Sequence, residues 1–127
     1  MAKTQRALGK LEWLVPDCYW PEQTDPTAPY PSHESICVLN TGDSDASLSL
    51  MFYFEDREPV SARAQCAARR THHIRLDRLE TDGGALPQGV PYAALLSSDV
   101  PVVVQYSRCD ASHPAVTLMT SVAYPIE

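Results

Sequence analysis

The sequence predicts an all-β fold, an antiparallel β-sandwich of about seven to eight short strands in a single domain spanning residues 1–127. Three observations carry that prediction. Residues 48–54 alternate strictly: Leu48, Leu50, Phe52 and Phe54 share one face, and Ser49, Met51 and Tyr53 share the other, the period-two pattern of a half-buried strand. Strand-like runs elsewhere are separated by turn residues, and no long amphipathic helix is written into the chain. A chain of 127 residues, 44% hydrophobic and 20% charged, can bury its own core without disulfide or metal staples.

Residues 11–15 form the first predicted strand. The loop at 21–31 carries prolines at 21, 26, 29 and 31, which favour a stiff, extended crossing. Residues 36–39 form a strand that ends in Asn40, Gly42, Asp43 and Asp45, residues suited to a turn, and the 48–54 strand completes an antiparallel hairpin. Pro59 stops that second strand because it cannot donate to a central ladder. Residues 61–68 and 71–76 have strand character, with Ile74 and Leu76 in the buried phase of the latter. A loop punctuated by Gly and Pro covers 81–91, residues 92–96 fit either a short helix or a strand, and 100–106 and 117–124 are the last two strands.

Net charge is −6, so a polyanion such as nucleic acid is an unfavoured partner unless basic residues segregate. They do so partly. Residues 1–60 hold 4 Lys/Arg against 10 Asp/Glu, residues 61–127 hold 6 against 6, and Arg63, Arg69, Arg70, Arg75 and Arg78 fall close together. The amino terminus has no apolar run long enough for a signal peptide, and no stretch approaches the roughly 20 residues of a membrane helix. A cytoplasmic location is expected. Cys18, Cys37, Cys66 and Cys109 include no Cys-x-x-Cys pair, so free thiols are expected and no metal site or cofactor is.

Ser32-His33-Glu34 superficially suggests a triad, but neighbouring residues of an extended chain point to opposite sides and cannot relay a proton in line. No catalytic set is therefore assigned, and no enzyme is expected. His33 or Glu34 instead suits a strand entry, fixing the preceding loop or meeting a polar ligand. His72 and His73 diverge for the same reason. With Ile74 inward, Arg69, Thr71, His73 and Arg75 share an outward face that offers guanidinium donors and a titratable imidazole. Gln105 interrupts an apolar run and needs a partner if buried. Trp13, Tyr19 and Trp20 fit either a stacking platform or core and loop packing.

Several separated motifs between residues 13 and 124 resemble those of the sensory rhodopsin transducer family. They are Trp13, Tyr19 with Pro21, Ser32-His33-Glu34, Leu39-Asn40 with Gly42-Asp43, Glu58-Pro59-Val60, and Ala68-Arg69-Arg70-Thr71 with His73 and Arg75. Val100-Pro101, Val103-Val104-Gln105, Arg108, Asp110 and Ala123-Tyr124 continue the match. Cys18 departs from the family's glycine, and the 22–31 loop is richer in proline than the archetype. The resemblance implies an all-β cytoplasmic homotetramer. It also implies a non-enzymatic small-molecule-binding or signalling module, its ligand a carbohydrate or small anion meeting Trp13, His33, Glu34, Arg69, His73, Gln105 and Arg108. The alternative it implies is a soluble adaptor that docks a membrane photoreceptor or a transcriptional regulator.

Overall fold

The computed structural model describes residues 6–127, so residues 1–5 of the expected domain lie outside the described residues. The strands are β1 (Lys10–Tyr19), β2 (His33–Asn40), β3 (Ala46–Phe54), β4 (Val60–Cys66), β5 (Arg70–Arg75), β6 (Glu80–Thr81), β7 (Gly84–Ala85), β8 (Pro91–Asp110), β9 (Thr117–Val122) and β10 (Tyr124–Ile126), with one 3-10 turn at Leu76–Arg78. All pairings are antiparallel. The first half of β8 pairs with β1 and β3, and β10 and β4 extend that layer at its two ends. The second half of β8 pairs with β2 and β9, and β5 flanks β2. The expected sandwich-like all-β arrangement is present, and β6 with β7 adds a small separate hairpin.

Strand count and length differ from the expectation. The segment that reads as an ambiguous 92–96 element followed by a 100–106 strand is one strand of 20 residues. Pro101 makes it look broken, since proline cannot serve a central ladder. It sits at the handover: the β3 ladder ends at Ser98 and the β2 ladder begins at Val103, so the missing N–H interrupts neither. Nearby, Asp99 accepts the backbone N–H of Ser47 at 2.8 Å. The 81–91 loop holds the short β6–β7 hairpin, which is too brief for a periodic signal.

Alternation decides what is buried. Glu34, Ile36, Val38 and Asn40 of β2, Leu48, Leu50 and Phe52 of β3, and Tyr92, Ala94, Leu96, Val102, Val104 and Tyr106 of β8 point into one continuous core. Burying a side chain such as Phe52 contributes on the order of 1.5–3 kcal/mol. Asn40, fully buried, closes the β2–β3 turn: its amide donates to the Ser44 and Cys66 carbonyls, and its oxygen accepts from the Gly42 N–H. The fit of the turn residues to their task is thus local and specific. At the start of β1, Gly9 has φ +115°, and a Cβ there would lie 2.0 Å from the Val102 carbonyl oxygen. Only glycine permits β1 to enter so close to β8.

Candidate functional site

Ser32, His33 and Glu34 diverge as extended geometry requires. Buried Ser32 donates its hydroxyl to the Gln23 carbonyl, accepts from the Ala111 N–H, and sends its own N–H to Thr24. It staples the proline-rich loop. His33 faces outward with Nδ1 2.7 Å from the Pro31 carbonyl; because a carbonyl only accepts, that nitrogen carries a proton. Glu34 faces inward and is 1% exposed.

The Glu34 carboxylate accepts three hydrogen bonds: from the Tyr92 hydroxyl at 2.5 Å, the Tyr19 N–H at 2.8 Å, and the Tyr106 hydroxyl. Tyr106 in turn accepts from Nε of Arg108 at 3.1 Å. Arg108 completes its bonding on the Asp17 carbonyl and carboxylate, and its guanidinium lies near the rings of Tyr19 and Tyr106. The result is a buried acid and a partly buried base joined through a tyrosine hydroxyl. Burial pushes the Glu34 carboxyl above its ordinary value, although its three donors and Arg108 pull the other way. Burial, with the nearby Glu34 charge, also pushes up the Cys18 thiol and the Tyr92 and Tyr106 hydroxyls.

The opposite faces of the same strands make a different environment. Strand registers place Ser35 beside Arg75 and Ser107, Cys37 beside His73 and Gln105, and His33 beside Cys109. With β9 alongside, this outer face forms a concavity of about 740 Å³ whose polar lining includes His33, Ser35, Arg75, Gln105 and Ser107, with Tyr30 and Leu118 contributing apolar surface. Gln105 donates to the Thr120 hydroxyl, and Ser107 and Thr120 hydroxyls lie 3.1 Å apart. Arg75 grips Asp77 with two bonds of 2.8 Å. Although partial burial opposes it, that grip holds the Asp77 carboxyl below its ordinary range.

Of the residues singled out from the sequence, His33, Gln105 and Arg108 border this concavity, although the Arg108 guanidinium is bound to Tyr106 and Asp17. His73 lies on the same outer face, exposed, one row along β5 from Arg75. Three others stand apart. Trp13 is 5% exposed, and its indole N–H donates to the Lys10 and Val102 carbonyls. Glu34 is inside the core. Arg69, expected to share the face of Thr71, His73 and Arg75, instead occupies the turn before β5 with φ +56° and pairs with Asp43 at 4.0 Å. The left-handed turn residue breaks the alternation that the expectation extends backwards. Tyr30, Ser35, Ser107 and Thr120 join the site without having been singled out from the sequence. The period-two rule applied across β2 and β8 identifies Ser35 and Ser107, whereas Tyr30 and Thr120 come from a loop and a strand whose placement has no local signal.

All four cysteines are free, and Cys18, Cys66 and Cys109 are buried. Among the described residues, no group of three or more His, Cys, Asp or Glu is arranged to hold a metal ion. No helix of the described residues is long and apolar enough to cross a membrane.

Comparison with known proteins is consistent in fold and sequence. A family profile described as Anabaena sensory rhodopsin transducer matches residues 8–125. A Thermotoga maritima protein of known crystal structure is 38% identical, with a TM-score of 0.84 over 94% of this chain and 97% of the other. The solved structure titled Anabaena sensory rhodopsin transducer is 37% identical, with a TM-score of 0.70 over 79% of this chain and 95% of that one. No curated protein sequence matches.

Proposed function

The chain belongs to the Anabaena sensory rhodopsin transducer family, and on that premise we propose that it is a non-enzymatic binding module whose ligand is a neutral carbohydrate. The observation that carries this reading is the outer concavity of β2, β5, β8 and β9 and the state of its charges. Arg75 has spent its fork on Asp77, and Arg108 its own on Tyr106 and Asp17. An anion would meet Arg75 with its charge already paired by Asp77, and Arg108 with its charge already paired by Asp17. Beside them stands a set of uncharged donors and acceptors, Ser35, Gln105, Ser107 and Thr120, the last three already bonded to one another, next to exposed Tyr30. Hydroxyl and amide groups spaced along paired strands suit a polyol, and an aromatic ring at the rim suits the apolar face of a sugar. His33 and His73 add polar contacts at either end.

A thermal-shift screen of neutral sugars, sugar phosphates and organic acids tests this reading, because a ligand that binds only the folded state raises Tm. Neutral sugars are expected to shift Tm at millimolar concentration, and Gln105→Ala and Tyr30→Ala to weaken binding about 10-fold each, about 1.4 kcal/mol. A shift confined to the phosphates and acids, or none at all, overturns it. We further propose that the chain works as a cytoplasmic homotetramer. A second reading, a soluble adaptor docking a membrane photoreceptor or a transcriptional regulator, is favoured by exposed Leu118, Val122 and Tyr124 along β9 and β10. It predicts that Leu118→Glu abolishes docking to a purified rhodopsin.

A further inference from the structure

A row of polar side chains set by the strand registers crosses the concavity of β2, β5, β8 and β9: Arg75 of β5, Ser35 of β2, Ser107 of β8 and Thr120 of β9. Three are hydroxyls, and Arg75 is the row's one charge. Arg108, the other arginine at the border, pairs across the ladder with inward-facing Glu34, and its guanidinium bonds Tyr106 and Asp17. What the concavity selects therefore turns on Arg75. The path of the chain decides how that guanidinium is held. β5 ends at Arg75, Leu76 enters the core at 1% exposed, and the 3-10 turn of Leu76–Arg78 brings Asp77 back to the strand end. Asp77 accepts from Nε through Oδ1 and from Nη2 through Oδ2, both at 2.8 Å, a fork that matches the two planar groups. Among the ion pairs of the described residues it alone has both side chains less than a third exposed, at 26% and 14%. Water and salt loosen an exposed pair; this one is partly shielded from both.

We propose that Asp77 makes the concavity select neutral sugars over sugar acids and sugar phosphates, by positioning Arg75 and cancelling its charge. This rests on the carbohydrate reading above and names what sets its selectivity. A guanidinium carries five N–H groups, and the fork uses one on Nε and one on Nη2. Those left can donate to a sugar hydroxyl, which needs an oriented donor and no net charge. A carboxylate or phosphate gains most from an uncompensated cation, and here it must also approach the Asp77 carboxylate, a like charge that opposes it. Arginine stays charged throughout the physiological range, so a fixed counter-charge is what takes that attraction away. The charge of His33, at the border of the same concavity, favours the same carboxylate. Asp77 is not part of the concavity's lining, so an Asp77 that only stabilised its turn would leave selectivity alone.

Calorimetric titration of the full chain tests this, with glucose, galactose and mannose as probes, each beside its 6-phosphate and its uronic acid. The wild type is expected to prefer the neutral sugar of each set. Asp77→Asn is expected to bind the acid and the phosphate at least 10-fold more tightly than the wild type does, with the gain fading as salt is raised. Asp77→Ser, another uncharged residue suited to a turn, is the second variant should the first fold poorly, and the same gain is expected of it. Adding Arg75→Gln to either variant abolishes the gain. A wild type that binds none of the neutral sugars overturns the carbohydrate reading. Acid and phosphate affinities that stay at the wild-type level in the folded variants overturn the role of Asp77, whichever way the first result falls. A gain that survives Arg75→Gln overturns its action through Arg75.

Discussion

Glu34 shows how one residue of a recognisable motif can be misread if its chemistry is considered before its phase. Its neighbours His33 and Ser35 face the concavity, whereas its own carboxylate is held by two tyrosine hydroxyls and the Tyr19 N–H in the core. A raised carboxyl pKa means that the folded state binds the proton more tightly than the unfolded chain. Its contribution to stability therefore falls as pH rises above the ordinary value of 4.5 and grows on acidification through that window. Glu34→Gln removes the titration, so urea midpoints of wild type and variant, followed between pH 4.5 and 7, should diverge in the wild type's favour as pH falls; parallel curves would contradict the assignment. Truncation is harsher. Glu34→Ala strands two buried hydroxyls and Arg108's relay and should cost about 3–5 kcal/mol in the same measurement.

Among the elements, β3 is legible in the sequence because strict alternation over 48–54 reports which face is buried, while β2 is legible as a short apolar run and β5 takes its phase from Ile74, the other residues following by alternation. That rule sets His33 against Glu34 and His72 against His73, and the registers agree. It fails where conformation, not polarity, governs the chain. Arg69 reads as the next outward residue of β5, yet its left-handed φ turns it away from that face, and 92–96 and 100–106 read as separate elements although one strand runs through both, with Pro101 between two ladders. Because Arg69 stands outside the concavity and glycine accepts positive φ freely, Arg69→Gly should leave sugar-induced Tm shifts unchanged and alter stability by less than about 1 kcal/mol. The contrast is Gly9. Its φ of +115°, and the 2.0 Å that would separate an added methyl carbon from the Val102 oxygen, imply that Gly9→Ala displaces the start of β1. The loss should be about 2 kcal/mol or more by denaturant titration.

Across the whole molecule, the two layers are joined by continuous backbone and not only by side-chain packing. A 20-residue β8 gives its first half to one layer and its second half to the other, and Glu34 of the second layer bonds Tyr92 in the first half of β8. No local pattern in the sequence announces this, because a strand that changes partners midway reads as two. Its consequence is cooperativity: neither layer can lose β8 without removing the central strand of the other. Leu96, 2% exposed in the first half, and Val104, fully buried in the second, belong to one core. Leu96→Ala and Val104→Ala should each shift a single transition, by about 2–5 kcal/mol for the leucine and less for the smaller valine. Far-UV circular dichroism and the fluorescence of core Trp13 should report the same midpoint in both variants. If either substitution separates the two probes into successive transitions, the layers unfold independently and the shared strand does not couple them.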